Sequence, residues 1–500
     1  ELRPLLPRFE PPEGAAWQSI RDARPSGTLR SVVGGWVDSA TPRYYAEATI
    51  EKLGLRESAS APGIGGVDFT IRANAHGGVI ETEQTAAFLI TDAKLLAAPV
   101  EIQKIVGAVS WSLQDDILRV ATDGLAVQAE GIDFVSRGSL TFEPQTSPYL
   151  NLVTRINSGS LAAISRLVPL GKLPPRGDFW VRNAFKAGQF APSSLLFRGR
   201  LADFPFDDGS GSFKAELEIE NADLQYSTRW PLATALGATV AVENRATRTI
   251  VHKGLMYSAE LGGSTIEMPD LFTRKPVVRV QGAIRVTGDE LDRFIEESPL
   301  KNTKAVRFHD VNIAGDFGMT LDMSLGIYPG GEKDILGLAQ FAGNRIDAPK
   351  QKLVLDDVHG DISFTRQDWY GEGLRAIYDG DPVGVVLNGG LDDPNYDTEF
   401  RMTGTSAAPQ LLKIIRTYAP YLGTLLTRGG THESVGGELP WKVVLSIPEV
   451  NPNGMTAPQR LTIDSSLVGL ALDLPWPFGK SAAEKKPLEI VSETAADGQR

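Results

Sequence analysis

Apolar and polar residues alternate along much of this chain. From Val67 to Ala75 the odd positions (Val67, Phe69, Ile71, Ala73, Ala75) are apolar and the even ones (Asp68, Thr70, Arg72, Asn74) are polar. Phe213, Ala215, Leu217 and Ile219 alternate with Lys214, Glu216, Glu218 and Glu220. Phe317, Met319, Leu321, Met323, Leu325 and Ile327 are spaced by Gly, Thr, Asp and Ser. Weaker versions lie at Val109–Leu113, Leu125–Ala129, Leu150–Ile156, Val278–Val286, Leu353–Leu355, Val383–Leu387 and Trp441–Ile447. Successive side chains of an extended strand point to opposite faces, so each run predicts a strand with one apolar and one wet face. That is the pattern of antiparallel sheet. About twenty-five such segments are expected, separated by turn signals such as Asp123-Gly124 and Asp207-Asp208-Gly209. Asn388-Gly389, directly after an apolar run, reads as a hairpin turn.

Helical patterns are few. Thr287 and Glu290 form a capping box opening a helix with Leu291, Phe294 and Ile295 on one side. Short helices are expected over 160–168 and 177–187, the second ending at Gly188. The clearest helix runs from Pro409 to about Arg428, with Gly429 after its end. It carries a stripe of Leu411, Ile415, Tyr418, Leu422 and Leu425, keeps Lys413 and Arg416 off that stripe, and has a kink expected at Pro420. This helix is expected to cap a sheet edge, the alternatives being a plug or gate, or a contact with membrane or partner.

Composition narrows the function classes. The 500 residues are 42% hydrophobic and 22% charged, too apolar for a disordered chain. A net charge of −12 argues against a nucleic-acid partner, which calls for a basic footprint. With no cysteine there is no disulfide scaffold, Cys nucleophile, Cys-ligated zinc or iron–sulfur cluster. The apolar run Ala86–Ile90 is far short of the roughly 18–20 residues that span a bilayer. The chain starts at Glu1 without a signal-type segment and is read as a mature or excised piece.

Candidate chemistry is sparse. His76, His252, His309, His359 and His432 are scattered, without metal-ligand spacing, and no metal or other cofactor is expected. There is no nucleophile elbow, Walker loop or dinucleotide fingerprint. The acid pairs Asp115-Asp116, Asp207-Asp208, Asp356-Asp357 and Asp392-Asp393 read as turn acids, and a glycosidase built on two of them is the remote enzymatic alternative. The long one-sided apolar face is left. It can be the core of a sandwich or barrel, or the wall of a lipid-filled groove, and composition does not separate the two.

Several segments resemble the AsmA-like family, closest to its YhdP branch of bacterial envelope proteins. They are Phe197-Arg-Gly-Arg-Leu-Ala-Asp-Phe-Pro-Phe206, Gly211-Ser-Phe213, Ala222-Asp-Leu-Gln-Tyr226 with Trp230-Pro231, Ser298-Pro299-Leu300, and Ser465-Ser-Leu-Val-Gly469 leading to Leu474-Pro-Trp-Pro-Phe-Gly-Lys480. The similarity extends over most of 130–480, and Ser466 stands where the family pattern has Asp. The resemblance implies an elongated, curled antiparallel sheet forming an open, repeating β-groove. Its layout would be a first segment over 1–130, its continuation with short helices over 131–480, and a polar tail over 481–500 holding a last strand at Leu488–Ile490.

The implied role is phospholipid transport between inner and outer membranes, in the periplasm, by part of an inner-membrane-anchored protein. No catalytic residues come with it. A phospholipid has about thirty chain methylenes, worth roughly 24 kcal/mol against exposure to water at ~0.8 kcal/mol each, and an apolar trough removes that barrier. Strands of about six to eight residues stacked at ~4.8 Å would make a body about 120 Å long. Phe69, Ile71, Leu217, Ile219, Phe317, Met319, Leu321, Met323 and Leu325 are the expected lining, the two methionines suiting a fluid ligand. A non-conducting structural scaffold for envelope assembly is the alternative.

Overall fold

The computed structural model describes residues 24–37, 43–57, 63–85, 88–92, 98–163, 166, 175–302, 310–418, 435–448, 457–473 and 479–494. The protein is mainly β. Twenty-seven of its strands join one antiparallel sheet, from Ser26–Val37 at one edge to Leu488–Thr494 at the other. The sheet is a meander, each strand pairing with its neighbours in sequence. Where one long strand faces two shorter ones, as Tyr149–Ser160 faces Phe185–Phe190 and Ser193–Arg200, the short pair acts as a single broken strand. Among the described residues three α-helices interrupt the meander: α1 (Pro175–Asn183), α2 (Gly288–Glu296) and α3 (Ala408–Tyr418).

Antiparallel order sets where the helices lie. Tyr149–Ser160, Val277–Thr287 and Tyr396–Ala407, the strands that precede α1, α2 and α3, are separated by even numbers of antiparallel steps. All three therefore run the same way, and the helices emerge at one end of the sheet. The buried apolar residues gather there too. Val100, Ile102, Val127 and Ala129 form one cluster, and Ile132, Leu161, Phe190, Ala222 and Leu236 a second. A third runs from Val286 and Phe317 through Leu355, Val383 and Met402 to Leu439, Trp441 and Ile463. The opposite, free end carries tight hairpins such as Asp115-Asp116, both residues left-handed at φ 48 and 62, as a two-residue turn requires.

Many strands are longer than alternation alone suggests, because bulges carry them through interruptions. Lys333–Ala348 has 16 residues. Its register with Leu353–Thr365 shifts at Ala342/Asn344, where Gly343 has φ 89 and Asp357 on the partner strand φ 51. The Asn344 side chain spans the bulge, donating to the Ala314 and Asp316 carbonyls and accepting from the Ala342 N–H. Asp123-Gly124, expected as a turn, is likewise a bulge inside Ile117–Ala129. Asn388-Gly389 ends a strand rather than turning it, and the connection follows at 390–395.

The helices differ in detail from expectation. The capping box is present: Thr287 Oγ1 accepts from Glu290 N–H, and Glu290 Oε2 accepts from Thr287 N–H. The helix expected over 177–187 stops at Asn183, because Phe185–Phe190 is taken into the sheet between two longer strands. Of 160–168, Leu161–Ala163 is a 3₁₀ turn and most of the rest lies outside the described residues. Helix α3 carries Leu411, Ile414 and Ile415 into the main apolar cluster, so it covers the sheet's apolar face rather than an edge. Pro420, Leu422, Leu425 and Arg428 lie outside the described residues.

The polar face is tied by charge pairs between adjacent strands. Lys214–Glu243, Arg248–Glu267, Lys442–Asp464 and Arg460–Glu493 each join directly opposed residues. Hydrogen bonds from Arg245, Arg285 and Arg200 hold the carboxyls of Asp207, Asp316 and Glu143 below their usual range. A carboxyl depressed in the fold contributes stability above its unfolded pKa, near 4, and loses it as pH falls through the lower folded value. Stability is expected to be flat from about pH 8 to 5 and to fall below about 4; denaturant titrations showing a loss already between about pH 7 and 5 would contradict this.

One buried cation has no carboxylate partner. Lys480, 5% exposed, donates to the carbonyls of Leu467, Leu470 and Ser481 at 2.6, 2.9 and 3.1 Å. It fastens the segment that leads into the last strand. Lys480→Met leaves those carbonyls without this donor and is expected to cost about 1–3 kcal/mol. Hydrogen exchange should accelerate across 466–472 and 488–494; an unchanged melting temperature with unchanged exchange is the contrary result.

Candidate functional site on the apolar face

Register decides which side chains share a face. Ile71 opposes Ile80, and Ile80 opposes Val109. Trp111, on the same face as Val109, opposes Val120, which opposes Leu140, which opposes Leu150. Leu152 then leads through Phe197 to Phe213. Leu217 opposes Val240, and the line continues through Thr249, Ile266 and Val280 to Met323 and Ile335. All nine residues expected as lining therefore lie on one face of one sheet. The same face continues through Phe364, Leu387, Phe400 and Leu445 to Leu461.

The face has two margins of different character. Toward the helix end it is packed against the protein's own side chains: Ile219 (8% exposed), Phe317 (2%) and Met319 (9%) belong to the buried clusters. Phe69, Ile71, Leu217, Leu321, Met323 and Leu325 lie farther along their strands and stay half-buried. At the free end exposure rises further, to 47% at Leu113, and on the edge strand Val32, level with Ile71, is 57% exposed. Apolar side chains on the polar face, such as Val153, Leu336 and Tyr370, are scattered singly.

Glycines and aromatic rings shape the apolar face. Three directly opposed pairs on this face combine a glycine with a large ring: Gly78 with Trp111, Gly337 with Phe364, and Gly404 with Trp441. In each the ring occupies the space a Cβ would take; at Gly337 that Cβ would lie 2.1 Å from the Phe364 ring. The rings lie along the sheet instead of standing up from it.

The segments that carried the family resemblance build joints at the strand ends. Gln225 donates to the carbonyls of Ser227 and Trp230, and Trp180 donates to the Tyr226 carbonyl at 3.1 Å, tying α1 to that turn. The Trp230 ring lies 5.6 Å from Phe294 of α2. Ser298, 2% exposed, accepts from the Leu300 N–H and donates to the Ile295 carbonyl. Ser466 accepts from the Val468 N–H two residues on, the bond an Asp would make there. Gly469 has φ 97, and its Cβ would meet the Glu438 carbonyl at 1.9 Å, so only glycine fits. At the free end Phe197, Phe204, Phe206, Phe213 and Phe272 form an aromatic knot. Their common location was not readable from the motif alone. Of Leu474-Pro-Trp-Pro-Phe-Gly-Lys480, residues 474–478 lie outside the described residues.

The acid pairs sit in turns and local ion pairs. Asp115 and Asp116 form a hairpin turn, Asp207 pairs with Arg245 and Asp356 with Arg345, Asp357 meets His359, and Asp393 accepts from the N–H groups of Asn395 and Tyr396. His252 bonds Thr239 on the polar face, while His309 and His432 lie outside the described residues. Among the described residues no group of three His, Asp or Glu could hold a metal ion, and no helix is long and apolar enough to cross a membrane.

This chain belongs to the YhdP family: a sequence model of that family, described as YhdP protein, matches residues 1–499. Membership is consistent with lipid transport in the cell envelope and with association with membranes. No curated protein and no solved structure matches the chain.

The glycine–ring pairing makes a direct prediction. Gly337→Val is expected to cost about 1–3 kcal/mol through overpacking against Phe364, and Phe364→Ala in the same chain should recover part of it. Equal stability of the single variant and its parent in denaturant unfolding would count against the pairing.

Proposed function

We propose that this chain conducts phospholipid between the inner and outer membranes, along the apolar face of its sheet, and so supports lipid homeostasis of the Gram-negative outer membrane. The carrying observation is that the hydrogen-bonded register keeps one apolar face unbroken from the Arg43–Leu55 strand to the Gln459–Ser465 strand. A lipid held there keeps its acyl chains out of water along the whole path, which a closed binding pocket would not allow.

One further feature supports a groove. Bulges bend strands and raise their twist, and here they fall on adjacent strands, at Asn221 and Ala235 and again at Gly343, Asp357 and Gly373. In this reading Phe69, Ile71, Leu217, Leu321, Met323 and Leu325 meet lipid, while Ile219, Phe317 and Met319 seal the margin beneath the helices. Headgroups stay wet beyond the free end. The chain would sit in the periplasm as part of an inner-membrane-anchored protein, its sheet running on across the 130/131 hairpin into the segment to 480.

The test uses a photo-reactive residue placed singly in the full-length protein in cells. Positions 69, 321 and 323 are expected to capture phospholipid, and positions 320 and 322, on the opposite face of the same strand, to capture at most one-tenth as much. A non-conducting scaffold predicts no capture at any of the five, and equal capture on both faces would also overturn the proposal. Leu217→Arg with Leu321→Arg should lower phospholipid delivery to the outer membrane at least tenfold without loss of folded protein; undiminished delivery would contradict it.

A further inference from the structure

One stretch of the free end is unlike the rest. Residues 201–211 connect the Ser193–Arg200 and Ser212–Leu224 strands, and they turn back over the apolar face. Gly199 and Gly211 lie on that face by register, in line with Phe197 and Phe213, and a Cβ at either would strike the Phe206 ring at 2.4 Å. Phe206 is 3% exposed, an interior value at an end where the face is otherwise open. The Phe204 ring reaches Phe272 at 5.4 Å, on the connection that follows the Thr265–Met268 strand. The covered stretch thus extends over five neighbouring strands, from Ser193–Arg200 to Thr265–Met268.

Both connections are latched by one side chain. Arg245, in the hairpin between two of the covered strands, holds Asp207 through Nε and Nη2 and holds Asp270 through Nη1 at 2.9 Å. The Arg245 side chain is 35% exposed and that of Asp207 60%. Both ion pairs are partly exposed to solvent, so water and salt weaken them.

We propose that residues 201–211 are a strap closing the free rim, and that the strap must lift for a phospholipid headgroup to pass. This rests on the lipid-conducting reading. Acyl chains lie on the apolar strip, but a headgroup travels beyond the free end, and there the knot of Phe197, Phe204, Phe206, Phe213 and Phe272 stands in its way. The strap divides the open face into two lengths, one containing Ile71 and the other Leu325. Passage between them is the step it controls.

The native chain has no cysteine, so a chosen pair can be bridged cleanly. The experiment bridges Asp207→Cys and Asp270→Cys with a short bis-maleimide in the full-length protein, with photo-reactive residues at 71 or 325. Before bridging, both positions should capture phospholipid. After bridging, delivery should fall at least tenfold and capture should persist on one side of the strap only. Undiminished delivery with capture on both sides overturns the strap and leaves lipid conduction standing. No capture at either position before bridging overturns both. Arg245→Gln, which keeps the strap but removes its latch, should raise delivery; a tenfold fall with capture retained on both sides would contradict a latch.

Discussion

Everything in this molecule depends on the pairing register of its strands. Side chains on a strand alternate between faces, so a slip of one residue would carry a whole row of apolar groups to the wet side. The register from Ile71 to Ile335 and on to Leu461 avoids that slip through more than a dozen pairings. Bulges do not break it, because the strand on either side of each returns its apolar residues to the same face. Asn344 shows the cost: a buried amide with three backbone partners is committed to holding one such irregularity in place.

The second constraint is that one face cannot be both sealed and open. The chain divides the task along the strand axis. At one end Leu291 of α2 and Leu411, Ile414 and Ile415 of α3 pack with the sheet's own apolar residues into the largest buried cluster. The other end is left with tight turns, and the strip between stays half-buried. The polar face is held by cross-strand charges rather than by a second layer. The segments that carried the resemblance lie mainly at strand ends, where Gln225, Ser298, Gly469 and Lys480 fix loops.

Alternation was enough to read the class of the fold and the common face of the nine residues expected as lining, because a period of two is a local property. It was not enough to separate Leu321 from Phe317, which share that face. Their difference is set by how far each lies from helices contributed by distant parts of the chain. Asp123-Gly124 looked like a turn for the same reason: glycine and aspartate suit a bulge as well as a hairpin, and only the partner strand decides. Phe185–Phe190 was drawn from helix to strand by the gap it fills between two longer neighbours. The aromatic knot was visible as a motif but not as a place, since Phe272 joins it from outside the motif.

The most direct measure of the central claim is native mass spectrometry of the purified chain, counting bound phospholipid. An unbroken apolar face predicts several lipids bound per chain, and fewer when Leu321 and Met323 are replaced by Asp. A folded chain that carries no lipid, or one whose lipid is unaffected by those replacements, would contradict the account.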